Sequence, residues 1–174
     1  MPSDTARLTF RSWTDDDADT AFRLWADPEV TAFLGTGQPW TRQQVLERLT
    51  AEIACQRQHG VQYWPIFLKA GGEHVGCCGL RPRHPNQGVW ELGVHLAPRF
   101  WGIGLATEAS RAVIEFAFER LGATALFAGH HPNNVSSQRL LRELGFHYTH
   151  REFYPPTGLE HPSYLLTALQ WRGR

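Results

Sequence analysis

The stretch from Trp90 to Leu121, WELGVHLAPRFWGIGLATEASRAVIEFAFERL, limits what this chain can become. It reads as a strand, a tight glycine loop and a helix. Leu92, Val94 and Leu96 alternate with other residues between Trp90 and Leu96, the period of a strand. Pro98 ends the strand, because proline has no N–H to give to a sheet ladder. The loop is Arg99-Phe100-Trp101-Gly102-Ile103-Gly104, and a helix starts at about Leu105. Leu105, Ala109, Ala112, Val113, Phe116, Ala117 and Leu121 fall on one face of that helix. Glycines just before a helix let a ligand approach the backbone, and the free N–H groups there point outward at the positive end of the helix dipole. Such a place suits an anion, a diphosphate above all. A tight strand-to-helix turn without any ligand would use the same glycines, so both readings stand on the loop alone. The G-x-x-x-x-G-K-[ST] loop is absent, and so is the three-glycine G-x-G-x-x-G spacing.

The remaining sequence supports one domain over residues 1–174, with 42% hydrophobic residues and a formal net charge of zero. A global positive field for nucleic acid is therefore not expected. Cys55, Cys77 and Cys78 are odd in number and two are adjacent, which reads as reduced thiols rather than a disulfide framework. The N-terminus has no apolar signal core, and no apolar run approaches the ~20 residues that cross a bilayer. A cytoplasmic protein with no membrane partner is expected. His130-His131 and His147-x-x-His150 lack zinc spacing, so no metal is expected.

Taken in order, a short strand over Leu8–Arg11 leads to Thr14-Asp15-Asp16-Asp17, which starts a helix. After Asp27-Pro28-Glu29 comes a short apolar segment, Val30 to Leu34. Thr41 caps a second helix that runs to roughly Gln58. Tyr63–Lys69 and His74–Leu80 form a hairpin, in which Pro65 marks an edge or a bulge. Arg81 to Gly88 reads as a polar loop. Beyond the central helix lie a strand at Ala125–His130 and a helix at Val135–Leu144, with Asn134 as its N-cap and Gly145 closing it. Tyr148–Tyr154 and Ser163–Gln170 are the closing strands. The order describes a mixed α/β domain with an antiparallel first half.

Four blocks can now be compared with known proteins: RLTFRSWTDDDADTAFRLWADPEVTAFL, ELGVHLAP, RFWGIGLATEA and NNVSSQRLLRELGF. Together they resemble the GNAT acetyltransferases, and within them the branch of ribosomal-protein N-terminal acetyltransferases. Arg99, Gly102 and Gly104 match the family's acyl-CoA loop, (Q/R)-x-x-G-x-(G/A). The resemblance implies the GNAT fold: a strongly twisted, mostly antiparallel sheet of about seven strands flanked by about four helices. Trp90–Leu96 and Ala125–His130 would be two central parallel strands that splay apart. It also implies acetyl-CoA as cosubstrate and direct transfer of the acetyl group to a primary amine, without an acyl-enzyme.

The resemblance distributes roles over particular residues. Arg99, Phe100, Trp101, Gly102, Ile103, Gly104, Leu105, Ala106 and Thr107 form the phosphate loop and the first helical turn. His95, Leu96 and Ala97 pair their backbone with pantetheine. Asn134 and Ser137 stand beside the acyl-CoA arm. Many relatives carry a tyrosine acid where this chain has Leu141, which leaves Ser137 or water to protonate the departing thiolate. The base is expected at Glu91, an acid on a mostly apolar strand, with His95, His130 and His131 as alternatives. The acceptor is expected to be a protein N-terminal α-amine. Aminoglycosides, polyamines and amino-acid-like amines stay open, as does a non-catalytic acyl-CoA-binding module or a loop that holds another nucleotide. A closed pocket lined by Trp40, Tyr63, Trp64 and Phe153 would favour a small acceptor, and an exposed groove a peptide. Monomer and homodimer are both compatible with the sequence.

Overall fold

The alternating runs assemble into one mixed sheet. The computed structural model describes residues 1–173. Its strands are β1 (Leu8–Phe10), β2 (Tyr63–Leu68), β3 (His74–His84), β4 (Val89–Leu96), β5 (Ala125–Gly129), β6 (His147–Tyr154) and β7 (Leu159–Thr167). They lie in the order β1-β2-β3-β4-β5-β7-β6. All neighbours are antiparallel except β4 and β5, which run parallel. The longer helices are α1 (Ala18–Trp25), α3 (Arg42–His59), α4 (Leu105–Glu115) and α5 (Val135–Leu144). A π-helical turn, Phe116–Arg120, extends α4. Two short helices join the four expected ones: α2 (Pro28–Thr31) and α6 (Ala168–Arg172).

Local chemistry sets several of these boundaries. Thr41 and Gln44 form a reciprocal capping box at the start of α3, and Asn134 accepts from the Ser137 amide at the start of α5. Other limits are set by partners that periodicity does not reveal. The segment after Leu80 is strand rather than loop, because Arg81 and Pro82 pair with Glu91 and Trp90 on β4. The last strand ends at Thr167, where Thr167 and Gln170 cap α6, so Ala168 to Gln170 is helical and not extended. Pro65 lies on an inner strand beside a bulge at Ile66/Phe67. The Pro65 carbonyl accepts from Arg11 just past the end of β1, so the missing proline N–H falls where β1 has stopped pairing.

Two apolar cores occupy opposite faces of the sheet. On one face, α4 and α5 bury Leu105, Ala109, Val113, Leu141 and Leu144 against Trp64, Leu80, Leu92 and Leu126. On the other, α1 and α3 bury Leu24, Trp25, Val45 and Leu49 against Tyr63 and Cys77. A fully buried leucine such as Leu105 contributes about 1.5–3 kcal/mol by its burial. Strand alternation therefore separates β4: Trp90, Leu92 and Leu96 face α4, whereas Glu91, Gly93 and His95 face α1 and α3.

Candidate active site

The parallel seam between β4 and β5 is short. Val89, Trp90 and Glu91 pair with Ala125, Leu126 and Phe127, and the pairing then stops. β4 runs on to Leu96 while still paired with β3. The Ala97 amide donates to the Val75 carbonyl at 2.9 Å, so by alternation the backbone of His95 and Gly93 also turns to β3. Val94 and Leu96 turn theirs the other way, into the gap that β5 has left. Of the expected run His95-Leu96-Ala97, only Leu96 thus faces the gap, and the Trp101 indole occupies its carbonyl at 2.8 Å. Val94, outside the expected set, offers both its N–H and its C=O. The sequence holds the signal for this in the alternation of β4, but the side of the break is fixed only by the β3 register.

The loop after β4 begins with a helical turn at Pro98–Phe100, in which Phe100 is buried and Arg99 exposed. The Arg99 guanidinium pairs with Glu73 at 2.8 Å and lies over the Phe100 ring, so its charge is shared with the β2–β3 turn. Gly102 and Gly104 take φ of 74° and 81°, a left-handed backbone that disfavours side chains. Gly102, Ile103 and Gly104 are exposed, Ala106 and Thr107 half-buried, and Leu105 anchors the helix in the core. No hydrogen bond among the described residues uses an amide from Gly102 to Thr107; the first intrahelical one runs from Glu108 to the Gly104 carbonyl. These open amides at a helix start, with no atom near a Cβ built at Gly102, fit a diphosphate.

Asn134 sits at the N-terminus of α5, where its side-chain oxygen accepts from the Ser137 amide at 3.0 Å. The Ser137 hydroxyl is half-buried and makes no hydrogen bond among the described residues. Leu141 is buried in the core.

Glu91 occupies the last paired rung, opposite Phe127 on β5 and Arg81 on β3. Its side chain is half-buried and makes no hydrogen bond or ion pair among the described residues. Burial raises its carboxyl above the usual glutamate range, against the pull of Arg81, Arg83 and Arg48. Around it lies a set of residues that periodicity did not single out. Glu52, on α3, is buried and accepts from Arg48 at 2.6 Å, from Arg81 at 2.7 Å and from the Tyr63 amide at 2.7 Å. Arg48 packs over the rings of Trp25, Trp40 and Tyr63. Arg83 is held by both oxygens of Glu152 and covers Phe127. The Tyr63 phenol lies against Gly93, where any Cβ would overlap it. Burial first, then the Glu91 charge, raises the Tyr63 pKa, so the phenol keeps its proton. Trp64 packs on the opposite face and Phe153 is exposed, so Trp40, Tyr63, Trp64 and Phe153 do not line one closed pocket.

The three histidines stand in different surroundings. Trp25 donates to the His95 Nδ1 at 3.1 Å, which occupies the lone pair and places the ring proton on Nε2. Burial, with Arg48 and Arg81 nearby, also keeps His95 neutral. His130 faces α5: it bonds the His131 carbonyl, stacks on Tyr164 and opens on a cavity of about 440 Å³ between α5 and β6. His131 lies on the Glu91 face, between Phe33 and His161. Cys77 and Cys78 offer no nucleophile, since burial pushes the Cys77 thiol up and Cys78 up to about 12. Among the described residues no group of three or more His, Cys, Asp or Glu could hold a metal ion, and no helix is long and apolar enough to cross a membrane.

Comparison with known proteins shows the family and the fold. A family model for the acetyltransferase (GNAT) domain matches residues 7–147. The uncharacterized N-acetyltransferase p20 of Bacillus licheniformis is 31% identical over 148 residues, covering 82% of this chain and 80% of that protein. The FsC-acetyl coenzyme A-N(2)-transacetylase of Aspergillus fumigatus is 28% identical over 183 residues, covering 96% of this chain and 76% of its own length. Among solved structures, RimL, a ribosomal alpha-N-protein acetyltransferase in complex with coenzyme A, matches with a TM-score of 0.81 at 14% identity, covering 94% of this chain and 95% of that one. At that identity the likeness is one of fold. A sheet split after Glu91, a loop of open amides and a family model spanning most of the length lead to one conclusion: the chain belongs to the GNAT acetyltransferases, and it is an N-acetyltransferase.

Proposed function

We propose that this enzyme is acetyl-CoA-dependent and acetylates an α-amine, a protein N-terminus in the first place. The observation that carries the reading is the unpaired Glu91 carboxylate at the rung where β4 and β5 part, on the face opposite α4. The amides of Gly102 to Thr107 would hold the diphosphate of acetyl-CoA, with Asn134 and Ser137 beside its arm and the Val94 and Leu96 amides in the gap. Acetyl-CoA supplies an activated acetyl thioester. Glu91 takes the proton that an ammonium must lose before its nitrogen has a lone pair to share. The Val94 N–H is a donor for an oxygen that gains negative charge in the gap. Ser137, with Leu141 in the place of an acid, is the hydroxyl that returns a proton to the departing sulfur.

The charges around Glu91 bear on the acceptor. Arg48, Arg81 and Arg83 surround it, while Glu52 and Glu152 are already committed to those guanidiniums. With those pairs made, Glu91 is the one carboxylate of the cluster without an ion pair among the described residues, and it offers a site for one ammonium. The FsC N(2)-transacetylase supports a second reading, a small amino-acid-like amine, at 28% identity. Thiol release from acetyl-CoA, measured over N-terminal peptides, amino acids, aminoglycosides and polyamines, tests both. Turnover on peptides supports the first reading and turnover on free amino acids alone the second. Turnover on polycations only would refute the α-amine assignment.

A further inference from the structure

Glu108 stands in the first turn of α4, among the open amides. A carboxylate there suits the helix dipole but opposes any second anion at the same helix end. Its two oxygens are covered from an unexpected quarter. The Thr5 hydroxyl and the Arg7 amide donate to Oε1 at 2.5 and 2.8 Å, and the Arg7 Nε donates to Oε2 at 2.6 Å. The same guanidinium reaches on to the loop, where Nη1 donates to the Ile103 carbonyl at 2.9 Å. Nη2 lies 3.5 Å from the position of a Cβ at Gly104 and makes no hydrogen bond among the described residues. The segment that carries this side chain is itself fixed: the Lys69 amide donates to the Arg7 carbonyl at 2.9 Å, and Leu8 pairs with Leu68.

We propose that Arg7 is a cofactor-positioning residue that acts by charge: it cancels the Glu108 charge at the phosphate loop, and its bond to the Ile103 carbonyl serves to hold the guanidinium there. The proposal rests on the acetyl-CoA reading of that loop. Without Arg7 a bare carboxylate would sit where a diphosphate is to bind. Arg7 therefore matters to affinity chiefly because Glu108 is present, and removal of both charges should undo much of the harm of removing one.

Calorimetric binding of CoA to wild type, R7Q, E108Q and the double variant R7Q/E108Q tests this, with Tm recorded for each. R7Q should raise the Kd for CoA roughly tenfold, the scale of one partly screened charge at close range. E108Q should bind at least as tightly as wild type, and the double variant should recover most of the loss. An R7Q protein that binds CoA like wild type overturns the proposal. A double variant as weak as R7Q also overturns it, since a purely mechanical brace would stay broken. If R7Q does not fold, R7K takes its place, with a Kd expected between wild type and tenfold weaker, again improved by E108Q. A folded wild type that does not bind CoA would refute the function itself; a wild type that binds while the cycle fails refutes only the role of Arg7.

Discussion

Glu91 is one carboxylate on an otherwise apolar strand, and its environment decides what it can do. Burial raises its pKa, so with Glu91 as the proposed base the wild-type rate should fall with decreasing pH through a point above the ordinary glutamate range. E91Q should lower kcat by about a hundredfold, leave the KM for acetyl-CoA within about twofold, and lose that acid limb. A pH–rate profile of both proteins measures it, and an unchanged kcat would remove Glu91 from the mechanism. Glu91 stands out in the sequence as a lone acid in an apolar run. Arg7, Arg48 and Glu52 do not, since each is an ordinary charge in a polar stretch until the fold supplies its partner. His95 shows the reverse: its residue type invites a base, but the Trp25 indole that occupies Nδ1 comes from a helix far away in the sequence.

The strand–loop–helix unit from β4 to α4 was the most legible element, because a proline, paired glycines and a helical stripe act over a few residues each. Boundaries that depend on a partner strand were not. Nothing local in Arg81-Pro82-Arg83-His84 marks a strand; it extends because β4 is there to pair with it. The loop assignment predicts that G104E abolishes CoA binding, with Kd raised by a hundredfold or more. The change places a side chain on a left-handed backbone and an anion among the open amides. Titration of CoA into the folded variant checks this, and retained affinity would mean that the loop holds no phosphate.

For the whole molecule, the hydrophobic pattern was enough for the fold class, but not for which face each aromatic would join. Tyr63 and Trp64 are neighbours in sequence and lie in different cores. Global stability should carry the mark of buried histidines. Burial holds His74 down to about 4, and its Nε2 has no partner, while burial also lowers His95 and His130. The folded state then resists protons that the unfolded chain accepts. Stability is full above about 6.5 and is lost as pH falls from there towards about 4. H74F should flatten this decline, by about a few degrees in Tm at pH 5 relative to pH 7. Thermal unfolding across that range would show it, and a slope equal to wild type would exclude His74 as a contributor.

The short parallel seam has one more consequence, for the kinetics of solvent access. β4 lies in the middle of the sheet, where every amide would ordinarily be protected alike. Here the partner on one side leaves after Glu91. Deuterium should therefore enter β4 in a period of two: rapidly at Val94 and Leu96, slowly at Gly93, His95 and Ala97. With CoA bound, the two fast positions should slow down, and the strand should exchange as though its missing neighbour had been put back.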